Sequence, residues 1–189
     1  MQKRVTLGVI GGGFMAQAIV KGAILKKYLR ADEILVSEPD AGRRAVFSDL
    51  GIGVCCDNCE AAESCDYLLL AVKPQVFPVV AEEIKRNALP VLISIMAGKT
   101  RERIRHATGA QKIARIMPNL PCTVGAGMAG MDTSWLSESE ATFVRGLFQA
   151  VGEVVEVKED LLNAVTGVSG SGPAYVYLFY RSHVQAGVS

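Results

Sequence analysis

A chain of 189 residues, half of them hydrophobic, is long enough to bury a core in one or two domains. Basic and acidic residues number 20 and 19, a formal charge of +1, which argues against the basic excess of a nucleic-acid binder. No basic amphipathic stretch marks a membrane surface, and no run approaches the roughly 18 apolar residues of a spanning helix. The apolar run 5–10 is too short for a signal-peptide core, so a soluble, cytoplasmic protein is expected.

In chain order, residues 5–10 read as a short buried strand running into Gly11, Gly12 and Gly13. From 14 to 29 the apolar positions Met15, Ile19, Ala23 and Leu25 take up helical spacing. A second strand, 33–37, closes at Glu38-Pro39-Asp40, and a helix over 41–50 is stopped by Gly51. Residues 52–55 form a weak third strand, after which Asp57 or Asn58 caps a helix over 59–64. The fourth strand, 67–72, is uniformly apolar, as a parallel strand covered on both faces must be. Pro74 opens a helix to about residue 87, 91–95 form a fifth strand, 100–107 a helix and 113–117 a sixth strand.

Beyond Pro121 the glycine-spaced run 125–130 suggests a close-packed strand or turn. Ser137 and Glu140 form a capping box for a helix that Gly152 ends. Residues 153–157 make a further strand, and Asp160 caps a helix through 161–165. Strands alternating with helices at this spacing define an α/β fold, a doubly wound parallel sheet of Rossmann type. Right-handed crossovers put the strand C-terminal ends on one edge, where such sheets bind ligands. Gly11, Val72-Lys73-Pro74, Ala97-Gly98 and Asn119 all open onto that edge.

The five cysteines are Cys55, Cys56, Cys59, Cys65 and Cys122. Cys56 and Cys59 have C-x-x-C spacing, but no second pair completes a zinc set, and the histidines His106 and His183 lie far off in sequence. Free thiols around a strand end are expected, and no metal. His106 reads as a solvated helix histidine and Cys122 as a buried thiol.

Residues 11–16, Gly-Gly-Gly-Phe-Met-Ala, fit G-x-G-x-x-A directly after a strand and at the opening of a helix. Gly11 permits the tight turn, Gly13 lets the backbone approach a pyrophosphate, and Ala16 allows close helix–strand packing. The helix N-terminus then offers unpaired N–H groups and a partial positive charge to that anion. At the end of the second strand Glu38 suits ribose hydroxyls and repels a 2′-phosphate, whereas Arg43 and Arg44 suit that phosphate. The choice between NADPH and NADH stays open on these residues.

Together, "GVIGGGFMAQAIVKG", "LLLAVKPQ", "IMAGKT", "RIMPNLPCTVGAG" and "AVTGVSGSGPAYVY" resemble the pyrroline-5-carboxylate reductase family, from residue 5 to about 179. Other β-hydroxyacid dehydrogenases share fold and loop, but their catalytic lysine motif has no evident counterpart here. The resemblance implies hydride transfer from a nicotinamide, NADPH or alternatively NADH, to the imine carbon of a small-molecule substrate, giving L-proline. By position it implies cofactor contacts at Gly12, Phe14, Met15, Asn58, Val72, Lys73, Pro74 and Ala97, beside Gly11, Gly13, Glu38 and Gly98 on the same edge. Lys73 also reads as a surface lysine at a strand end. Asn119 either faces the nicotinamide amide or caps its own turn. Ser169 and Ser171 either hold a carboxylate or are small because the backbone is crowded.

The resemblance also divides the chain into a dinucleotide-binding domain, 1–158, and the beginning of a helical dimerisation and substrate domain, 159–189. In the family that domain's later Ser/Thr-rich loop supplies the imine donor, which is therefore expected beyond Ser189, and the C-terminal segment is expected to be truncated. Residues 174–179 read as a helix apolar all round, which must fold back, pair with another copy in a homo-oligomer, or stay disordered. The alternative readings are a non-catalytic nucleotide-binding form that associates with other subunits, and another β-hydroxyacid-type dehydrogenase.

Overall fold

The computed structural model of the chain describes residues 4–85 and 88–188. Among these, eight strands make one sheet: β1 (Val5–Ile10), β2 (Ile34–Ser37), β3 (Gly53–Cys55), β4 (Cys65–Leu70), β5 (Val91–Ser94), β6 (Ile113–Met117), β7 (Gly127–Asp132) and β8 (Gly152–Glu156). Their spatial order is β3-β2-β1-β4-β5-β6-β7-β8. The first six run parallel, so the chain builds outward from β1 through β2 to β3, returns, and continues on the other side from β4. That reversal opens a crevice at the C-terminal ends of β1 and β4.

Period-2 alternation gives each central strand a side chain for each face. Leu7, Val9, Leu69, Ile93, Ala114 and Ile116 pack on one face with α1 (Phe14–Leu25), α2 (Ala41–Ser48) and α6 (Glu138–Gln149). Ile10, Leu68, Leu70, Leu92 and Ile113 pack on the other with α3 (Asn58–Glu63), α4 (Phe77–Ile84) and α5 (Arg101–Thr108). A continuous apolar strand such as β4 is explained by this double cover.

The doubly wound parallel sheet forms as expected, with one antiparallel pair at its far side. β7 runs antiparallel to β6, and β8 is parallel to β7. The connection from β6 is one 3₁₀ turn, Leu120–Val124, too short for the helical crossover that a parallel return requires. Pro74 needs correction: it lies in a turn closed by Val76 N–H to the Lys73 carbonyl, and the helix begins at Phe77. The far end expected for that helix, near residue 87, falls outside the described residues. α3 is capped by Asp57, which accepts the Cys59 N–H, while Asp160 caps nothing because it sits inside a 3₁₀ turn, Glu159–Leu161. The capping box of Ser137 and Glu140 forms as expected.

Past β8 come α7 (Leu162–Val165), a π-helical turn, Thr166–Gly170, and α8 (Gly172–Gly187). α8 spans 16 residues and takes in the helix start expected at 174–179. It has no buried residue, and Tyr175, Val176, Tyr177, Leu178, Phe179 and Tyr180 are all exposed. No helix among the described residues is long and apolar enough to cross a membrane.

Candidate dinucleotide-binding site

The loop after β1 turns sharply and leaves the start of α1 open. Gly11 holds φ at 97°, which favours glycine, and its N–H donates to the Ser37 carbonyl at 2.9 Å. A Cβ there would lie 2.9 Å from the Ala71 carbonyl oxygen, so the loop also rests directly against the end of β4. Gly13 caps α1 without a side-chain bond, leaving the N–H groups of the first turn unpaired. A Cβ on Gly13 would meet nothing within 4 Å. The open side of the loop thus faces free space with N–H groups and the positive end of the helix dipole, and these residues fit a pyrophosphate. Ala16, with no exposed surface, lets α1 lie close on the sheet.

Glu38 sits at the end of β2 as the sequence indicates, but its carboxylate is committed and 4% exposed. Oε2 accepts the Gly12 N–H at 2.6 Å and Oε1 the Asp40 N–H at 3.0 Å. Arg44 is committed too, donating to the carbonyls of Glu38 and Pro39 at 2.7 and 2.8 Å. Arg43 remains 59% exposed, its Nη1 3.9 Å from Glu38 Oε2. Asn58 bridges neighbouring elements: Oδ1 accepts the Ser37 hydroxyl at 2.8 Å, and Nδ2 donates to Glu83 at 2.6 Å.

Along the same edge lie half-buried Met15, Val72 and Pro74, and exposed Phe14, Lys73, Ala97 and Gly98. Gly98 holds φ at 67°. The strand order brings Gly11, Gly12, Gly13, Phe14, Met15, Glu38, Asn58, Val72, Lys73, Pro74, Ala97 and Gly98 onto one rim.

Asn119, after β6, is 8% exposed and bonded through both ends of its amide. Its Oδ1 accepts the Met128 N–H at 2.9 Å and its Nδ2 donates to the Ser169 carbonyl at 3.2 Å. It therefore ties its loop to β7 and to the segment before α8, with one hydrogen of its amide left over beyond these bonds. The Ser169 hydroxyl donates to the Val165 carbonyl at 3.1 Å, whereas half-buried Ser171 keeps its hydroxyl free among the described residues. The nearby thiols are not poised as nucleophiles: burial pushes both Cys55 and Cys122 above the ordinary thiol pKa. His106 is exposed on α5, as its sequence setting suggests. No group of three or more potential metal-ligating side chains occurs among the described residues.

Sequence reasoning passed over one charged cluster beside this rim. Arg115 in β6 and Arg101 at the start of α5 are 3% and 8% exposed, and they face Asp132 and Glu159. An arginine in the middle of the apolar strand "IARIM" was the available signal.

A doubly wound sheet with a glycine loop at its switch point and an open helix N-terminus defines a dinucleotide-binding protein of Rossmann type. Residues 6–98 match the family described as "NADP oxidoreductase coenzyme F420-dependent", and residues 159–189 match "Pyrroline-5-carboxylate reductase dimerisation". The pyrroline-5-carboxylate reductase of Synechocystis is 44% identical over 187 residues, 97% of this chain and 70% of that protein. That of Haemophilus influenzae is 39% identical over 185 residues, 95% of this chain and 68% of that protein. A Coxiella burnetii pyrroline-5-carboxylate reductase structure superposes with a TM-score of 0.89 at 31% identity, covering 98% of this chain and 71% of its own. The Plasmodium falciparum structure, with NADP bound, gives 0.87 at 30% identity, covering 100% and 71%. This chain belongs to the pyrroline-5-carboxylate reductase family. An Aspergillus terreus reductive aminase, at 12% identity and a TM-score of 0.72, shares the fold.

Proposed function

We propose that the chain binds NADPH along the rim of β2, β1, β4 and β5 and reduces 1-pyrroline-5-carboxylate to L-proline. The observation that carries the reading is the glycine loop: left-handed Gly11 against β4, and open space over the N-terminus of α1 at Gly13. Family membership supplies the substrate. Bound NADPH supplies a hydride at nicotinamide C4, which the imine carbon accepts as the ring nitrogen takes a proton. The protein's part is to hold and orient. Backbone N–H groups of Gly13, Phe14 and Met15 hold the pyrophosphate, Val72 and Ala97 flank the nicotinamide half, and Lys73 adds positive charge at the β4 end. The Ser171 hydroxyl, free among the described residues, is our candidate partner for the substrate carboxylate.

NADPH is favoured over NADH because the Glu38 carboxylate is turned inward onto Gly12 and Asp40, while the exposed Arg43 guanidinium lies beside it. The division into a dinucleotide domain, 1–158, and a helical segment, 159–189, is part of the same reading, as is a second copy covering the apolar surface of α8. Five free thiols suit a reducing, cytoplasmic setting. The test is NADPH oxidation with pyrroline-5-carboxylate against a no-substrate control. Proline formed in step with NADPH consumed is the expected result; cofactor binding without substrate-dependent oxidation would select the non-catalytic, subunit-associating alternative.

A further inference from the structure

The loop between β5 and α5 carries Ala97 and Gly98, both exposed, and so has little packing of its own to fix it. Both of its ends are held by one buried cluster of charges. At the upstream end Arg115 Nη2 donates to the Met96 carbonyl at 2.9 Å. At the downstream end a Glu159 oxygen accepts the backbone N–H of Arg101 at 2.7 Å. That N–H belongs to the first residue of α5 and has no partner within its helix; the helix's own cap, Thr100, serves Arg103 instead.

The same carboxylate lies 3.5 Å from Arg115 Nη1 and 3.4 Å from Arg101 Nε. Arg101 Nη1 also donates to Asp132 at 3.0 Å and Ser134 at 2.6 Å, and its guanidinium stacks on Trp135. Two buried arginines are thus neutralised by two carboxylates. The Nε atoms of both arginines nevertheless lack hydrogen-bond partners among the described residues. Incompletely satisfied buried charge is a poor device for stability, and its best-attested use is to fix one arrangement against others.

Glu159 opens the segment that leads into α7, and that segment is seated on the sheet. Leu162 is buried, Val165 lies over Gly130 so closely that a Cβ there would fall 2.9 Å from its methyl groups, and Asn119 holds the Ser169 carbonyl. We propose that Glu159 is a positioning residue that couples the seating of residues 159–170 to the Ala97–Gly98 loop, and through it to the nicotinamide half of the cofactor site. The inference rests on the dinucleotide reading above. On this reading the charge cluster holds the loop in its working position only when the helical segment is docked.

The experiment compares calorimetric affinities of the full chain for NADPH and for 2′-phospho-ADP-ribose, the same molecule without nicotinamide. Glu159→Ala is expected to weaken NADPH about tenfold while leaving the nicotinamide-free ligand within about twofold. Glu159→Gln keeps an oxygen that can accept the Arg101 N–H, so it loses roughly threefold for NADPH and carries the test if the alanine variant fails to fold. Equal losses for both ligands, or no loss for either in a variant with a native circular-dichroism spectrum, overturn the coupling. A wild-type chain that binds neither ligand overturns the dinucleotide reading, and the coupling with it.

Discussion

Gly13→Ala puts a methyl group into the open space above the first turn of α1, where no protein atom lies within 4 Å. Gly13 has φ −69° and ψ 176°, ordinary backbone for alanine. The remaining cost to folding is that of a poorer N-cap residue, about 1 kcal/mol or less, and for a chain of this size a melting shift of about 2–4 °C. Cofactor binding is affected much more strongly. The methyl stands where a pyrophosphate must approach, and displacing one or two charge-assisted N–H bonds costs about 2–4 kcal/mol, roughly a 30- to 1000-fold loss of affinity.

The informative control is Gly11→Ala. There φ is 97° and the Ala71 carbonyl oxygen would sit 2.9 Å from the new Cβ, so the folded state itself loses about 2–3 kcal/mol. NADPH fluorescence titration beside thermal unfolding measures both quantities. A Gly13→Ala chain that melts like wild type and still binds NADPH within about threefold refutes the placement of the pyrophosphate over this loop.

Arg43→Ala is expected to weaken NADPH about tenfold, the loss of one charge-assisted contact, and NADH hardly at all; paired titrations with the two dinucleotides check it. Asn119→Ala leaves the half-buried Met128 N–H and Ser169 carbonyl without these partners, for about 1–2 kcal/mol of stability, read from the urea midpoint. Burial pushes the Cys65 thiol up to about 12 from an ordinary 9.0. A raised thiol pKa means that the unfolded chain releases its proton first. The contribution is therefore fully present below pH 9 and lost as pH rises toward 12, by about 4 kcal/mol at most. Cys65→Ala should flatten the alkaline slope of urea stability relative to wild type, and with a disulfide-exchange reagent exposed Cys56 should react well before Cys65 or Cys122 in the native protein.

How far the sequence reveals this molecule depends on whether a signal is local. β1 and β6 emerge at residues 5–10 and 113–117, their predicted bounds, because short apolar runs flanked by turn residues say all that is needed. The glycine loop is legible for the same reason: strand, turn and helix start lie within a dozen residues. The helical spacing of α1, however, runs on to residue 29, whereas the helix stops at Leu25. Its stop is invisible because Lys27, not a glycine, takes the left-handed conformation at φ 58°, and Tyr28 N–H returns to the Ala23 carbonyl. The reversed direction of β7 depends on the length of one connection, and no residue type announces it.

At the site, sequence picks out strand ends that share one edge of the sheet, but not the commitments of their side chains. Glu38 and Asn119 look like ligand donors when each is read among its neighbours in the chain. In the fold they are spent on Gly12 and Asp40, and on Met128 and Ser169. Arg101, Arg115, Asp132 and Glu159 show the converse. Only Arg115, inside an apolar strand, stands out in its own segment, yet they converge from four separate elements across 58 positions of sequence. Polar partnerships are long-range, so pattern reading finds which segments meet at an edge before it finds which of their side chains are free. The backbone N–H groups at Gly13 and the Ser171 hydroxyl have no partner among the described residues, and the exposed Arg43 guanidinium has only a 3.9 Å ion pair with Glu38, so these, more than Glu38 or Asn119, are the positions at which substitution should change binding without first changing the fold.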